Sequence, residues 1–158
     1  MAETQDSPGA VGRIPSGLFI VTAVLEGRKE GYLASWVQQV SFQPLLVGVA
    51  IRPGRPCHAI IKAHGRFCIN VVGHKNGGLM KPFWNTETPG DPFAELEHHI
   101  TPKGNLIFAN ALAAIECEVR SSVMPGDHEI LIAQAVDGVL LHPEDKPLTH
   151  VRKSGLVY

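Results

Sequence analysis

The longest uncharged stretch of the chain constrains its fold most. Residues 31–51 contain no Asp, Glu, Lys or Arg, although several polar residues and one proline interrupt the apolar ones. A membrane-spanning helix needs about 20 predominantly apolar residues in a row, so the stretch does not predict one. It predicts two buried strands, over residues 32–37 and 45–52, joined by a polar link at the end of a sheet. Such a link suits a flat or anionic ligand, although an ordinary buried hairpin would explain the same residues.

The rest of the chain predicts more strands and few helices. Apolar and β-branched runs indicate strands over residues 18–25, 67–72, 112–123 and 129–141. In the third of these, Ile115, Cys117 and Val119 alternate with charged residues, which predicts one buried face and one solvent face. A short helix is expected over residues 57–64, closed by Gly65, and residues 85–93 read as a polar loop that could act as a lid. This spacing favours a mainly β, barrel-like fold.

Length and composition limit the function classes. At 158 residues, the chain is expected to form one domain over residues 1–158, with residues 1–12 as a loosely packed arm. A net charge of −1 gives no electrostatic case for nucleic acid or an anionic membrane. The three cysteines are expected to be free thiols, and the N-terminal residues lack a secretory pattern, so we expect a cytoplasmic protein. No HxH, HExxH or GxGxxG pattern occurs, so neither a metal site nor a Rossmann site is expected.

Two arginines form a candidate phosphate site. Arg52 and Arg55 flank a Pro-Gly turn just before the predicted helix, and His58 lies near the start of that helix. Guanidinium groups beside a helix N-terminus suit a phosphate, and His58 could add a third donor. Two solvated arginines on a turn would be the alternative.

Several segments, in order, resemble the flavin reductase-like family, the FMN-binding split barrels. They are Ala34-Ser35-Trp36-Val37, then Ser41 and Pro44, then residues 67–71, and finally Gly126-Asp127-His128. The Trp-Val-Gln-Gln run is most similar to the reductase-like domains of diflavin flavoproteins. Two departures are Leu45 in place of a second proline and Trp-Val-Gln in place of Phe-Thr-Ser. They put the usual monooxygenase partner in doubt, and leave flavin binding untouched.

The resemblance implies a split β-barrel with a few short helices and a set of site residues. The cofactor would be FMN, with FAD as an option, and NADH or NADPH would be the reductant. His128 would lie beside the nicotinamide and act in hydride transfer by positioning it. The cofactor-binding residues would be Ser35, Trp36, Val37, Gln38, Gln39, Ser41, Arg52, Arg55, His58 and Lys81.

The function that follows is NAD(P)H-dependent flavin reduction by a homodimer with the flavin near the subunit interface. A flavin-accepting or electron-accepting protein would then be a further partner. The rival is a non-catalytic FMN-binding electron carrier reduced by a partner protein. A more distant option is a split barrel of the pyridoxamine-phosphate-oxidase-like or haem-binding kind.

Overall fold

The structure is a computed structural model that describes residues 4–85, 87 and 89–157. Its helices are α1 (Ser7–Gly12), α2 (Pro56–His64) and α3 (Lys81–Trp84), with a 3-10 helix over His74–Met80 directly before α3. Its strands are β1 (Ser16–Gly17), β2 (Phe19–Leu25), β3 (Arg28–Ala34), β4 (Val37–Ser41), β5 (Leu46–Ile51), β6 (Arg66–Val71), β7 (His98–Ile100), β8 (Leu106–Phe108), β9 (Ala113–Val123), β10 (Glu129–Leu140) and β11 (Thr149–His150). The mainly β fold predicted from the sequence is confirmed.

The main sheet closes on itself because of its strand order. Seven antiparallel strands are arranged β3-β2-β6-β9-β10-β5-β4, so the two edge strands are consecutive in the chain. Only Ser35 and Trp36 link them, and a two-residue link forces the sheet to curl until the end of β3 meets the start of β4. Ala50 N donates to Trp36 O at 3.0 Å, which fastens this link to β5. The result is a barrel with an incomplete seam between β3 and β4, the predicted split barrel.

The barrel interior is filled by one face of each long strand. Inward residues alternate with outward ones, as the two-residue strand period requires. Helix α2 covers the interior with Cys57, Ile60 and Ile61, and it ends at Gly65, whose φ of +73° stops the helix as predicted. The inward strand residues are Val21, Ala23, Tyr32, Ala34, Val47, Val49, Ile51, Phe67, Ile69, Cys117, Leu131 and Ala133.

A second core lies on the outer face of β2 and β6. Ile20 and Val72 pack there against the 3-10 helix, α3 and the β7–β8 hairpin, with Phe93 stacked on Phe108 at a ring distance of 5.8 Å. The buried amide of Asn70 holds the hairpin in place, since its Nδ2 donates to Leu106 O and its Oδ1 accepts from Phe108 N. This layer also positions α3, which forms one wall of the site described below.

The predicted polar link over residues 38–44 is wrong, because those residues begin with a strand. β4 pairs with β5 in a tight hairpin, and the preceding strand already ends at Ala34. The sequence misled because Gln38, Gln39 and Val40 are all exposed, so the strand carries no apolar alternation. An edge strand that faces solvent does not need that alternation.

The N-terminal residues are also more ordered than expected. Residues 1–3 lie outside the described part of the chain, but residues 7–12 form α1, capped by Asp6 Oδ1, which accepts from Gly9 N at 2.9 Å. Gly12 is buried against the backbone of Ser154, and β1 pairs with β11. The arm is therefore tied to the C-terminal segment, a long-range contact that its small, polar residues do not reveal.

The alternation predicted for β9 holds only in part. Glu116 was expected to face solvent, yet it is 6% exposed and accepts from Thr101 Oγ1 and Asn105 Nδ2, each at 2.7 Å. The segment around the β7–β8 hairpin covers this face, so the carboxylate is buried with partners instead of solvated. The face becomes exposed from Arg120 onward. Within the described residues, no helix is long and apolar enough to span a membrane.

Candidate functional site

A cavity of about 540 Å³ opens at the seam of the barrel. The end of β3, the two-residue link, the end of β5, α3, the turn before β10 and β11 all contribute to its wall. That volume lies within the range of small-molecule sites, and most of the wall is apolar or aromatic. The lining residues are Leu18, Tyr32, Leu33, Ala34, Ser35, Trp36, Ala50, Arg52, Arg55, Met80, Phe83, Trp84, His128 and His150.

Ser35 supplies a polar group to this cavity. Its side chain is 6% exposed, and its Oγ has no hydrogen-bond partner among the residues that the structure describes. Buried polar atoms are almost always paired, because desolvating an unpaired hydroxyl costs about 1–3 kcal/mol. A ligand with a polar group beside Ser35 would remove that cost.

Trp36 and His128 form an aromatic wall. Their ring centroids lie 4.8 Å apart with the planes tilted by 57°. The guanidinium carbon of Arg152 lies 5.2 Å from the centroid of Trp36. Trp36 thus contacts a histidine and an arginine that come from distant parts of the chain.

Asp127 fixes the His128 ring. His128 Nδ1 donates to Asp127 Oδ1 at 2.7 Å, and Asp127 Oδ2 lies 3.6 Å from Arg52 Nη2. The hydrogen bond from His128, with the nearby charge of Arg52, lowers the pKa of Asp127 below its ordinary value. The carboxylate therefore stays ionised at neutral pH and holds the imidazole against Trp36, with the His128 side chain only 12% exposed.

A second cavity of about 1210 Å³ adjoins the first. The two share Tyr32, Arg52, Arg55 and Phe83 as lining residues, and the second adds Lys29 and Lys81. Its wall therefore carries four cationic side chains, with the carboxylates of Glu30, Asp91 and Glu95 on the same rim. Cationic side chains are therefore concentrated directly beside the apolar cavity.

The N-terminus of α2 faces this junction. Arg55 is the residue before the helix, Pro56 opens it, and no described side chain caps its first amides. Gly54 has a φ of +90°, a left-handed conformation that glycine adopts without strain. The guanidinium of Arg55 lies over the Tyr32 ring at 5.6 Å, so the cation is held at the mouth of both cavities. Uncapped amides beside arginines form a site for an anion.

The structure brings together part of the predicted site. Ser35, Trp36, Arg52, Arg55 and His128 line the first cavity, and Lys81 lines the second. In the described part of the chain, neither lining includes a residue of β4, the edge strand that pairs with β5. Four of the residues predicted to bind the cofactor lie on this strand, namely Val37, Gln38, Gln39 and Ser41.

His58 has a different partner from the one predicted. Its Nε2 lies 2.5 Å from Glu129 Oε2, and Lys62 Nζ donates to Glu129 Oε1 at 2.8 Å. Hydrogen bonds from Lys62, then Ser122 and His58, lower the pKa of Glu129 to about 2. His58 therefore links α2 to Glu129, the first residue of β10 and the residue that follows His128. Its side chain binds this carboxylate and not a phosphate.

Two lining residues had no signal in the sequence. His150 is one of several scattered histidines, and only the pairing of β11 with β1 brings it to the cavity. Tyr32 was predicted as a buried strand residue, and the neighbouring sequence does not indicate that its ring makes a cation–π contact with Arg55.

The buried thiol of Cys57 lies beside the second cavity. Cys57 lies at the start of α2, and burial raises the pKa of its thiol far above the ordinary value, so it is not a thiolate at neutral pH. Among residues 4–85, 87 and 89–157, no group of three or more histidine, cysteine or acidic side chains could hold a metal ion.

Comparison with known proteins gives the family. The flavin reductase like domain matches residues 11–155, nearly the whole chain. The chain belongs to the flavin reductase like domain family. It is 37% identical over 155 residues to diflavin flavoprotein A 1 of Synechocystis, and 36% identical over 151 residues to putative diflavin flavoprotein A 2 of Nostoc. These matches cover 97% and 94% of the chain but only 27% and 26% of the relatives, so the chain spans about a quarter of their length.

Solved structures of other proteins, flavin reductases among them, share the fold. Nitrilotriacetate monooxygenase component B from Mycobacterium thermoresistibile superposes with a TM-score of 0.83 at 27% identity, over 92% of this chain and 80% of that one. The styrene monooxygenase flavin reductase from Pseudomonas putida S12 gives 0.79 at 26% identity, over 90% of each chain. The NADH:FAD oxidoreductase from Streptomyces globisporus gives 0.84 at 21% identity, over 98% of this chain and 95% of that one, and shows the fold alone.

Proposed function

We propose that this domain is an NAD(P)H-dependent flavin reductase that binds FMN at the seam of the barrel. The observation that carries the proposal is the seam cavity itself. It combines an aromatic wall, a buried hydroxyl without a partner and an adjoining cationic helix N-terminus. Two flavin reductases with the same fold, each 26% identical to this chain, support the reaction type.

The first cavity suits the flavin ring. An isoalloxazine is flat, with one apolar edge and one edge of amide-like donors and acceptors. Trp36, Phe83 and Trp84 offer aromatic surface for the ring, and Ser35 Oγ offers a hydrogen bond that no described residue of the chain uses. Stacking and one satisfied buried hydroxyl would both stabilise the bound ring.

The junction of the two cavities suits the flavin phosphate. Arg52 and Arg55 stand there beside the uncapped amides of α2, and Lys81 lies further into the second cavity. A phosphate would accept charge-assisted hydrogen bonds from the guanidinium groups, each contributing about 1.5–3 kcal/mol. The second cavity also leaves room for the larger FAD, so FMN is the minimal ligand of this site.

His128 would position the nicotinamide. A flavin held in this cavity would supply the redox chemistry, as the acceptor of a hydride from C4 of the dihydronicotinamide and of one proton from solvent, with NAD(P)⁺ as the other product. The protein then has to hold two flat rings in contact, and orientation of reactants is a large source of rate. The Asp127–His128 pair provides a fixed polar edge for the carboxamide at the open side of the cavity.

The partners follow from the same reaction. Because the diflavin relatives are about four times longer, we propose that the reduced flavin passes its electrons to another domain or protein. NAD(P)H supply makes the cytoplasm the expected compartment. We also propose a homodimer, for which the exposed hairpin discussed below is the candidate contact.

Ligand titration tests the phosphate site. Arg55→Ala is expected to weaken FMN binding by about tenfold or more, because one charged contact is lost, while riboflavin, which lacks the phosphate, keeps its affinity. Arg120→Ala is the matched control, since Arg120 binds Gln134 on the far side of the sheet. Equal losses for FMN and riboflavin would contradict the assignment.

A further inference from the structure

Arg152 is a cation that the flavin site described above does not use. Its guanidinium carbon lies 5.2 Å from the centre of the Trp36 ring. Arg152 forms neither an ion pair nor a side-chain hydrogen bond with any residue in the described part of the chain. Most arginines near a site find a carboxylate or a ligand anion, because the guanidinium carries five donors.

The backbone around Arg152 is fastened on both sides. β11 pairs with β1 just before it, and Arg152 N donates to Gly12 O at 3.0 Å. Shortly after it, Gly155 N donates to Pro8 O at 2.5 Å. The segment over residues 149–155 is therefore a strap held by α1 and β1, and the position of Arg152 is built into the fold.

The same strap reaches the cavity. His150, two residues before Arg152, lines the cavity with Trp36 and His128. Trp36 contacts both residues: the His128 ring centroid lies 4.8 Å from that of Trp36, and the guanidinium carbon of Arg152 lies 5.2 Å from it, so the cation and the imidazole gather around the same indole ring. In a nicotinamide nucleotide, the first phosphate lies one ribose ring away from the nicotinamide.

We propose that Arg152 binds the phosphate next to the nicotinamide ribose and thereby selects nicotinamide nucleotides over nicotinamide nucleosides. The inference rests on the proposed function, since it requires the nicotinamide to lie beside His128. The phosphate is common to NADH, NADPH and nicotinamide mononucleotide, so Arg152 recognises all three. Stacking on Trp36 keeps the guanidinium plane in place and limits the entropy lost on binding.

Binding of oxidised nicotinamides to the FMN-loaded protein tests this role. Calorimetric titrations compare NAD⁺, nicotinamide mononucleotide and nicotinamide riboside. Arg152→Ala is expected to weaken the first two by about tenfold and to leave the riboside unchanged. Arg152→Lys keeps the charge and recovers part of the loss, and Lys153→Ala, which removes an exposed charge from the next residue, changes nothing.

The outcomes separate this inference from the proposed function. If the wild-type protein binds FMN but none of the three nicotinamides, the proposed function fails and the inference fails with it. If the wild type binds them and Arg152→Ala weakens the riboside as much as the nucleotides, Arg152 acts through Trp36 packing and the inference alone is overturned. Unchanged affinity for all three ligands overturns it as well. Unchanged FMN affinity in Arg152→Ala shows that the variant is folded.

Discussion

His128 is the residue on which the proposed chemistry depends most. Its ring is fixed from two directions, by the hydrogen bond to Asp127 and by contact with Trp36. A histidine on an exposed turn would lack both contacts and would sample many orientations. The Gly-Asp-His turn therefore presents a preorganised polar edge to the cavity, which is the requirement for holding a second flat ring against the first.

His128→Ala is expected to slow reduction of the bound flavin by NAD(P)H by about 10- to 100-fold and to leave FMN affinity unchanged. The rate falls because the nicotinamide loses its orienting contact, and small misplacements are costly in such reactions. Stopped-flow absorption measures the rate, and His99→Ala, an exposed histidine on β7, is the control. A variant that reduces its flavin at the wild-type rate would remove His128 from the mechanism.

The sequence predicts some site residues because their roles are local. Arg52, Arg55 and the glycine between them form a turn and a helix start, and both are readable from neighbouring residues. Arg152 and His150 depend on the pairing of the two chain termini, which involves residues more than 130 positions apart. A motif made of neighbouring residues cannot reveal a contact between segments so far apart in the chain.

Helix α2 and strand β10 are joined by one buried carboxylate. Glu129 accepts from Lys62 and His58 of α2, and its backbone pairs with Ile51 at the end of β5. The proposed phosphate site at the start of α2 and the His128 turn at the start of β10 are thus held at a fixed separation. The sequence predicts both elements but suggests the phosphate as the partner of His58, because hydrogen-bond partners across elements are not visible in a linear pattern.

Glu129→Gln is expected to lower the free energy of unfolding by about 1–3 kcal/mol at pH 7. The pKa of Glu129 is lowered from 4.5 to about 2 in the folded protein, so its stabilising effect is complete above about pH 4.5 and is lost as the pH falls toward 2. The difference between wild type and variant should therefore shrink between pH 5 and pH 2. Urea unfolding at several pH values measures it.

A control variant distinguishes the stabilising effect of the buried Glu129 contacts with Lys62 and His58 from that of a surface ion pair. Glu118 pairs with Arg66 and Arg120 at 3.6 and 3.2 Å and is more exposed. Glu118→Gln should cost less than about 1 kcal/mol. If the Glu129→Gln variant is as stable as Glu118→Gln at pH 7, the proposed stabilising role of Glu129 is contradicted.

At the scale of the whole molecule, the most exposed large apolar side chain among the described residues, Phe42, lies at the tip of the β4–β5 hairpin. Val40, Phe42 and Leu45 are 51%, 90% and 47% exposed there. Within the described residues, β4 hydrogen-bonds to β5 on one side and to no strand on the other. An open strand edge beside exposed apolar side chains is a surface that proteins usually cover, and a second copy of the chain would cover both.

The dimer prediction follows from that surface. The wild-type protein should be a dimer by light scattering at micromolar concentration, with an interface above about 1,000 Å². Phe42→Ser should weaken the dimer, because an aromatic side chain at the centre of an interface carries much of the binding energy. Ile100→Ser, which alters an exposed apolar residue on β7, should not. A monomeric wild type, or a Phe42→Ser variant as dimeric as the wild type, would exclude this contact.

The most direct test of the central claim is anaerobic mixing of the FMN-loaded protein with NADH or NADPH. The visible absorption band of the bound flavin is followed in time, and dithionite serves as the chemical reductant that needs no nicotinamide site. We predict that at least one of the two nucleotides bleaches the band rapidly and forms one NAD(P)⁺ for each flavin. A flavin that dithionite bleaches and neither nucleotide reduces would contradict the reductase and identify the domain as an electron carrier.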